Sequence, residues 1–192
     1  MKMRLKSCAL VASATVLTAG CAAGGSGSPE AQQQPPERPG NSISVSNPKN
    51  AAGPEVCQLL PPDAAAQVGV EPNGEVDDKN INPDAPDTCA WESSDGSLSV
   101  SFAPVEGRSL QAYYDTKNQY QTYEEFEISG HPAVIATKDD TMNGSCDVWV
   151  ATKPDQVVGS TVFLPSEDSG EVDPCEVNKK MFELSMPSWP AA

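Results

Sequence analysis

The stretch SSDGSLSVSFAP, residues 93–104, decides the fold. Asp95-Gly96 is a two-residue turn of the kind that supplies left-handed backbone, and beyond it Leu98, Val100 and Phe102 alternate with Ser99 and Ser101. Period-2 alternation after such a turn predicts a β-hairpin with one apolar face and one polar face. A half-apolar hairpin has to be continued into a wider sheet and covered by something else, so the rest of the chain is read for both.

The upstream partner is residues 88–94. Downstream, four more segments have strand character: residues 123–128, 133–138, 146–152 and 156–164. The turns between them are Ser129-Gly130-His131-Pro132, Asn143-Gly144 and Lys153-Pro154-Asp155. Helices have different signals. In CQLLPPDAAAQVG, residues 57–69, prolines precede an alanine-rich run that Gly69 can cap, which predicts a helix over 62–68. Ser109 caps a second helix running to about Tyr120, with Leu110, Tyr113, Lys117 and Tyr120 in a stripe and Tyr114 beside it, a spacing read as core packing. Asp173-Pro174-Cys175-Glu176 opens a third, with a capping aspartate, a first-turn proline and a capping box completed by Glu176. Its expected buried face is Val177, Met181 and Leu184. Residues 70–86 lack apolar periodicity and are read as a long surface loop. The expected architecture is α+β: an antiparallel sheet of about six strands with about three helices.

Ahead of this domain the chemistry changes. Lys2, Arg4 and Lys6 precede the uncharged residues 7–20, the layout of an export signal. Those 14 residues fall short of the roughly 20 that a helix needs to cross a ~30 Å hydrocarbon core. The run ends in LTAGCAAGGSGSPE, residues 17–30, where Ala19-Gly20-Cys21 resembles the junction at which a bacterial lipoprotein signal is cut and its cysteine lipidated. Leu17 stands one place further from Cys21 than in the commonest pattern, and the competing reading is an ordinary secretory signal with Cys21 incidental. Several acyl chains, at roughly 0.8 kcal/mol per buried methylene, anchor a protein stably where one does not. The expectation is a signal over 1–20, a lipid on Cys21, a disordered Gly/Ser/Pro/Gln tether over 21–54 and a single domain over 55–192. As a flexible coil the tether spans roughly 30 Å.

Six cysteines are present. Setting aside Cys8 within the signal and Cys21 on the lipid leaves Cys57, Cys89, Cys146 and Cys175, an even set that in an exported domain reads as two disulfides. Sequence leaves three pairings open; joining sequence neighbours, Cys57 with Cys89 and Cys146 with Cys175, is the expected one. A zinc site is the competing reading, but there is no C-x-x-C pair and only one histidine.

Read in order, CQLLPPDAAAQVG, Cys89-Ala90-Trp91, Gly130-His131-Pro132-Ala133-Val134, CDVWV at residues 146–150 and Cys175 resemble the actinobacterial lipoprotein family catalogued as domain of unknown function 3558. The resemblance covers residues 57 to about 187 and implies an exported, membrane-anchored α+β domain. It transfers no active site.

Chemistry is sparse in the rest. The chain carries 27 acidic against 12 basic residues, a net charge of -15, which excludes nucleic acid as a partner on electrostatic grounds. His131 precedes a proline in a turn and has no nucleophile elbow to serve, so it is read as a turn residue. DKNINPD, residues 78–84, imitates a calcium loop, but Pro83 occupies the glycine position and Cys89 stands where the bidentate glutamate belongs. DDTMNG, residues 139–144, is a hairpin turn on the same reading. No catalytic residue, metal or cofactor is expected. The functional expectation is an extracytoplasmic binding or accessory module, held to the membrane through its lipid, with an envelope protein or polymer as its partner. The alternatives are an envelope hydrolase using carboxylates and a carrier of a small apolar ligand.

Overall fold

The computed structural model describes residues 43–77, 86–138, 144–165 and 172–192. The founding hairpin joins β2 (Thr88–Glu92) to β3 (Ser99–Glu106), with Cys89 opposite Phe102 and Trp91 opposite Val100. Its turn is held by Asp95, whose carboxylate accepts from the Ser93 and Ser97 hydroxyls, both at 2.7 Å, and from the Ser97 amide at 3.0 Å. Gly96 takes the left-handed conformation at φ 73° that the turn requires.

Among the described residues seven strands, all paired antiparallel, form one sheet in the order β1-β2-β3-β7-β6-β5-β4. The others are β1 (Glu75–Asp77), β4 (Thr122–Ile128), β5 (His131–Thr137), β6 (Ser145–Lys153) and β7 (Gln156–Phe163). The strand beyond the expected six is β1, inside the segment read as loop. Its three residues are exposed and carry no alternation. Its position is set instead by Gly74, where a Cβ would lie 2.5 Å from both the Cys89 sulfur and the Trp91 ring. Only a bare backbone can lie there, and it then pairs with the edge of β2.

The described residues include three α-helices: α1 (Pro62–Val68), α2 (Gln111–Asp115) and α3 (Pro174–Ser185). The first matches its predicted bounds, and Gly69 caps it at φ 101°. The second is shorter than the stripe implied. Ser109 accepts the Gln111 amide as expected, but at Thr116 the hydroxyl bonds back to the Ala112 carbonyl at 2.7 Å and the chain tightens into a 3-10 turn over Lys117–Gln119.

Each face of the sheet is covered. On one face Val100, Phe102, Val148, Val150, Val158 and Val162 pack beneath α1, α3 and a 3-10 turn at Val56–Leu59. Phe102 is the hub, with Phe182 at 5.0 Å, Trp189 at 5.7 Å and Trp91 at 6.0 Å between ring centroids, all edge-to-face. In α3 the buried side is Cys175, Asn178, Met181, Phe182 and Ser185, so Val177 and Leu184, expected at its centre, lie on its flank, partly buried. Glu176 makes its contact with Lys179, at 3.0 Å.

The second face carries Val134, Ala136 and Val157 under Leu110 and Tyr113. Tyr113 stacks on Trp149 at 4.7 Å, and Tyr120 and Tyr123 continue the row. Burial drives the Tyr113 hydroxyl up to about 12, partly offset by a hydrogen bond from Arg108. The aromatic stripe is therefore core, as its spacing suggested.

The domain reaches further upstream than residue 55. Ile43 and Val45 pack against the second cluster, Ala51 is buried, and Lys49 bridges to Ala191. A backbone bond from Lys49 to Thr152 (2.9 Å) ties this strap to β6, and bonds from Asn50 to Pro190 (2.8 Å) and from Ala192 to Pro48 (3.1 Å) tie it to the C-terminal segment. The tether reading is thus corrected for residues 43–54. The difference has a physical source, because a few isolated apolar side chains, Ile43, Val45 and Ala51, together with backbone bonds hold a segment whose composition is otherwise that of a tether.

Gly159 lies under the Trp149 ring so closely that a Cβ would fall 2.4 Å from ring carbon Cζ3. The ring is trapped by its stack on Tyr113. Gly159→Ala is expected to cost about 1 to 3 kcal/mol by overpacking, measured by urea unfolding, with loss of the near-UV dichroism of the stacked pair. A neutral substitution would show that the ring swings aside freely.

Candidate functional site

The cysteines expected to be site residues are bridged in the expected pairing. Cys57–Cys89 joins the 3-10 turn at Val56–Leu59 to β2, and Cys146–Cys175 joins β6 to the first turn of α3, each with a Cα separation of 5.2 Å. Proximity in sequence translates here into a covering element tied to the strand beneath it. Beside the second bridge the Asn178 amide donates to the carbonyls of Cys146 at 2.9 Å and Ser160 at 3.1 Å, so polar and covalent links hold α3 at one place. Cys21 lies outside the described residues, as does Cys8.

His131 is not the exposed turn residue that its Gly-His-Pro context suggests. The turn is Ser129-Gly130, with φ 50° and 78°, and His131 is the first residue of β5, 1 % exposed. Its Nδ1–H donates to the Ala151 carbonyl at 2.9 Å, fastening β5 to β6 where the ladder between β6 and β7 is irregular. The only histidine is thus a structural cross-strand tie. The calcium-like stretch 78–84, and residues 139–143 of the second one, lie outside the described residues. Among the described residues no three His, Cys, Asp or Glu side chains are grouped to hold a metal ion. No helix there is long and apolar enough to cross a membrane.

The space between sheet and α3 is filled by the Phe102 cluster, which directs attention to the surface. An open depression of about 500 Å³ is lined by the apolar Val68, Leu98, Leu164, Val172 and Val177 and by the polar residues of the turn, Asp95 among them. A second, of about 410 Å³, runs past Cys57, Pro61, Pro62, Pro72 and Gly74. The carboxyl of Asp95 is held down to about 2, first by the Ser93 hydroxyl and then by Ser97. It therefore serves the turn as a constant anion.

The charge distribution was not foreseen from sequence. Two ion pairs occur among the described residues, Lys153–Glu106 at 3.8 Å and Lys179–Glu176 at 3.0 Å. Neither involves the outermost long strand, β4, where Glu124, Glu125 and Glu127 are exposed. On that strand Glu125 accepts a hydrogen bond from the Tyr123 hydroxyl at 3.0 Å. Desolvation, and then that bond, raise the Tyr123 pKa, and the hydroxyl stays a donor across the physiological range.

Two measurements test this geometry. Cys57 is half-buried whereas Cys146 and Cys175 are buried, and thiolate attack needs access to a sulfur. Mild reduction of the native protein with alkylation of freed thiols is expected to open Cys57–Cys89 first; Cys57→Ser with Cys89→Ser should cost roughly 3 to 4 kcal/mol by loop entropy. For Asp95, the folded pKa is depressed, so its contribution to stability is present above the unfolded value of 3.8 and is lost as pH falls through about 2. Thermal melts of Asp95→Asn should trail the parent by a constant margin above pH 5 and converge on it toward pH 2.

The family described as a protein of unknown function, DUF3558, matches residues 16–188. No curated protein matches the chain, and no solved structure does. The match spans most of the chain, including both disulfides and every described strand, and the chain belongs to the domain of unknown function 3558 family.

Proposed function

We propose that this protein is a cell-envelope lipoprotein: a signal over residues 1–20 is removed, Cys21 carries the lipid, and the disulfide-bonded domain stands outside the cytoplasmic membrane as a binding or accessory module. The observation that carries this reading is the pair of disulfides. Cys146–Cys175 is buried beneath α3 and Cys57–Cys89 reaches 0 % exposure at Cys89. Cystines built so deeply into a core belong to a chain that folds in an oxidising compartment, and an exported destination in turn gives the basic-then-apolar N-terminus its meaning. The family match begins at residue 16, so residues 19–21 lie within the matched span, which supports reading them with the domain.

The binding role draws on how the chemistry of the domain is used. Its histidine is consumed by a backbone contact, its described cysteines are oxidised, and its tyrosine row is packed. Among the described residues, the exposed glutamates of β4 offer an acidic surface on a stapled scaffold. A stiff scaffold loses little conformational entropy when a partner docks, which favours recognition at modest contact area.

Intact-mass measurement on protein extracted from the producing cells is expected to find diacylglycerol and an amide-linked chain on Cys21, with the protein in the membrane fraction and Cys21→Ala released or uncleaved. An unmodified Cys21 in exported protein overturns the anchor. Crosslinking of the anchored protein in cells is expected to capture an envelope protein or polymer. Capture of none, or steady turnover of wall glycans by rigorously purified protein, overturns the binding role.

A further inference from the structure

We propose that the outer edge of β4 is a docking site for an extended, cationic segment of a partner protein, which adds to the sheet as a further strand. This deepens the binding role above, and rests on it, by naming a surface and the chemistry that it selects.

The edge is defined by the turn. Ser129 and Gly130, both at positive φ, form a two-residue turn between Ile128 and His131, which are directly paired. Such a turn closes on a hydrogen-bonded pair, and in an antiparallel ladder the bonded pairs alternate. Ile128, Phe126, Glu124 and Thr122 therefore spend their amides and carbonyls on β5, while Tyr123, Glu125 and Glu127 turn theirs outward. Among the described residues no strand takes them, since β4 ends the sheet. The opposite edge, β1, is only 3 residues long, whereas β4 has 7.

Charge selects the occupant. Glu125 and Glu127 share one face of β4 and Glu124 lies on the other, and among the described residues none of them is in an ion pair. Lys179, whose Nζ lies 5.0 Å from the centre of the Phe126 ring, is bound to Glu176. A second copy of the chain, laid antiparallel with the edges centred on Glu125, would set that glutamate against itself. Like charges directly opposite are unfavourable, so the edge repels its own kind. A strand with Lys or Arg at alternate positions meets the reverse condition: its main chain supplies the ladder, and its cations meet Glu125 and Glu127.

The test uses the full, oxidised chain and a short peptide alternating Val and Lys, with Val-Glu and proline-interrupted peptides as controls. Hydrogen exchange at the amides of Tyr123, Glu125 and Glu127 is expected to slow by about tenfold with the Val-Lys peptide and to be unmoved by either control. Glu125→Gln with Glu127→Gln should abolish most of that protection, and Glu124→Lys, Glu125→Lys and Glu127→Lys together should transfer it to the Val-Glu peptide. Near-UV dichroism checks that each variant is folded. Amides already protected in the free chain, protection without charge preference, or binding that leaves these amides unprotected overturns the assignment; in the last case the acids merely guard the edge. A cellular crosslink mapped to another face removes this site and leaves the binding role standing, whereas no crosslink at all removes both.

Discussion

The position of α3 on the sheet governs the rest of the structure, and two links of different kind set it. Cys146–Cys175 fixes the first turn of the helix to β6, and one turn further on Asn178 donates to carbonyls of both β6 and β7. A disulfide alone is a pivot; a second, directional attachment on the same side of the helix removes the rotation that a pivot allows. With that freedom gone, Met181 and Phe182 face the sheet, and Phe182 and Trp189 close edge-to-face around Phe102. The Trp189 indole then reaches the Leu59 carbonyl at 2.7 Å, which carries the constraint into the turn that holds Cys57. The chain has only 6 % aromatic residues, so placing three of its Trp and Phe residues around one Phe is a concentrated use of them.

The reverse face solves a different problem. A sheet buried on one side only would leave Val134, Ala136 and Val157 in water. The α2 segment and the 43–51 strap cover them with Leu110, Tyr113, Ile43 and Val45. Gln156, fully buried in the first position of β7, joins the two layers: its Oε1 accepts the Ala51 amide at 3.1 Å and the Thr152 hydroxyl at 2.9 Å. A buried amide side chain satisfied in this way specifies where the strap lies, because sliding the strap by a residue would leave Oε1 without that donor.

What was legible in the sequence is what local chemistry determines. Asp95-Gly96 with the following alternation gave a hairpin because turn and pattern agree, and proline before alanine with glycine after gave the bounds of α1. The parity of the cysteines pointed to two bridges, and of the three pairings left open the one between sequence neighbours is the one present. Features that depend on distant partners were not legible. Glu75-Val76-Asp77 is a strand because Gly74 fits against Trp91 and Cys89, which no local window contains. His131 was misread because a proline follows it, although the turn is complete one residue earlier. The strap was not legible because its few apolar anchors, Ile43, Val45 and Ala51, stand singly in a polar stretch and the rest of its attachment is through backbone. The acids of β4 were hidden among 27, and their isolation follows from β4 being last in the strand order, a property of topology and not of composition.

That topology also makes the edge a firm surface. Phe126 and Ile128 anchor β4 in the first core while Tyr123 joins the aromatic row of the second, so the strand is held from both faces by alternate side chains. Its strand neighbour among the described residues, β5, has Ala133 and Ile135 in one cluster and Val134 and Ala136 in the other. An edge strand gripped in this way is already extended and already in register. A partner adding to it would order only itself, and the backbone bonds it forms would not be offset by a second ordering cost on the host side. The like charges of Glu125 and Glu127, two residues apart on one face, are unfavourable in the free protein, and a bound cation removes that repulsion as well as supplying attraction. Rigidity and unrelieved charge therefore act in the same direction, and both favour occupancy of this edge by a chain of opposite sign.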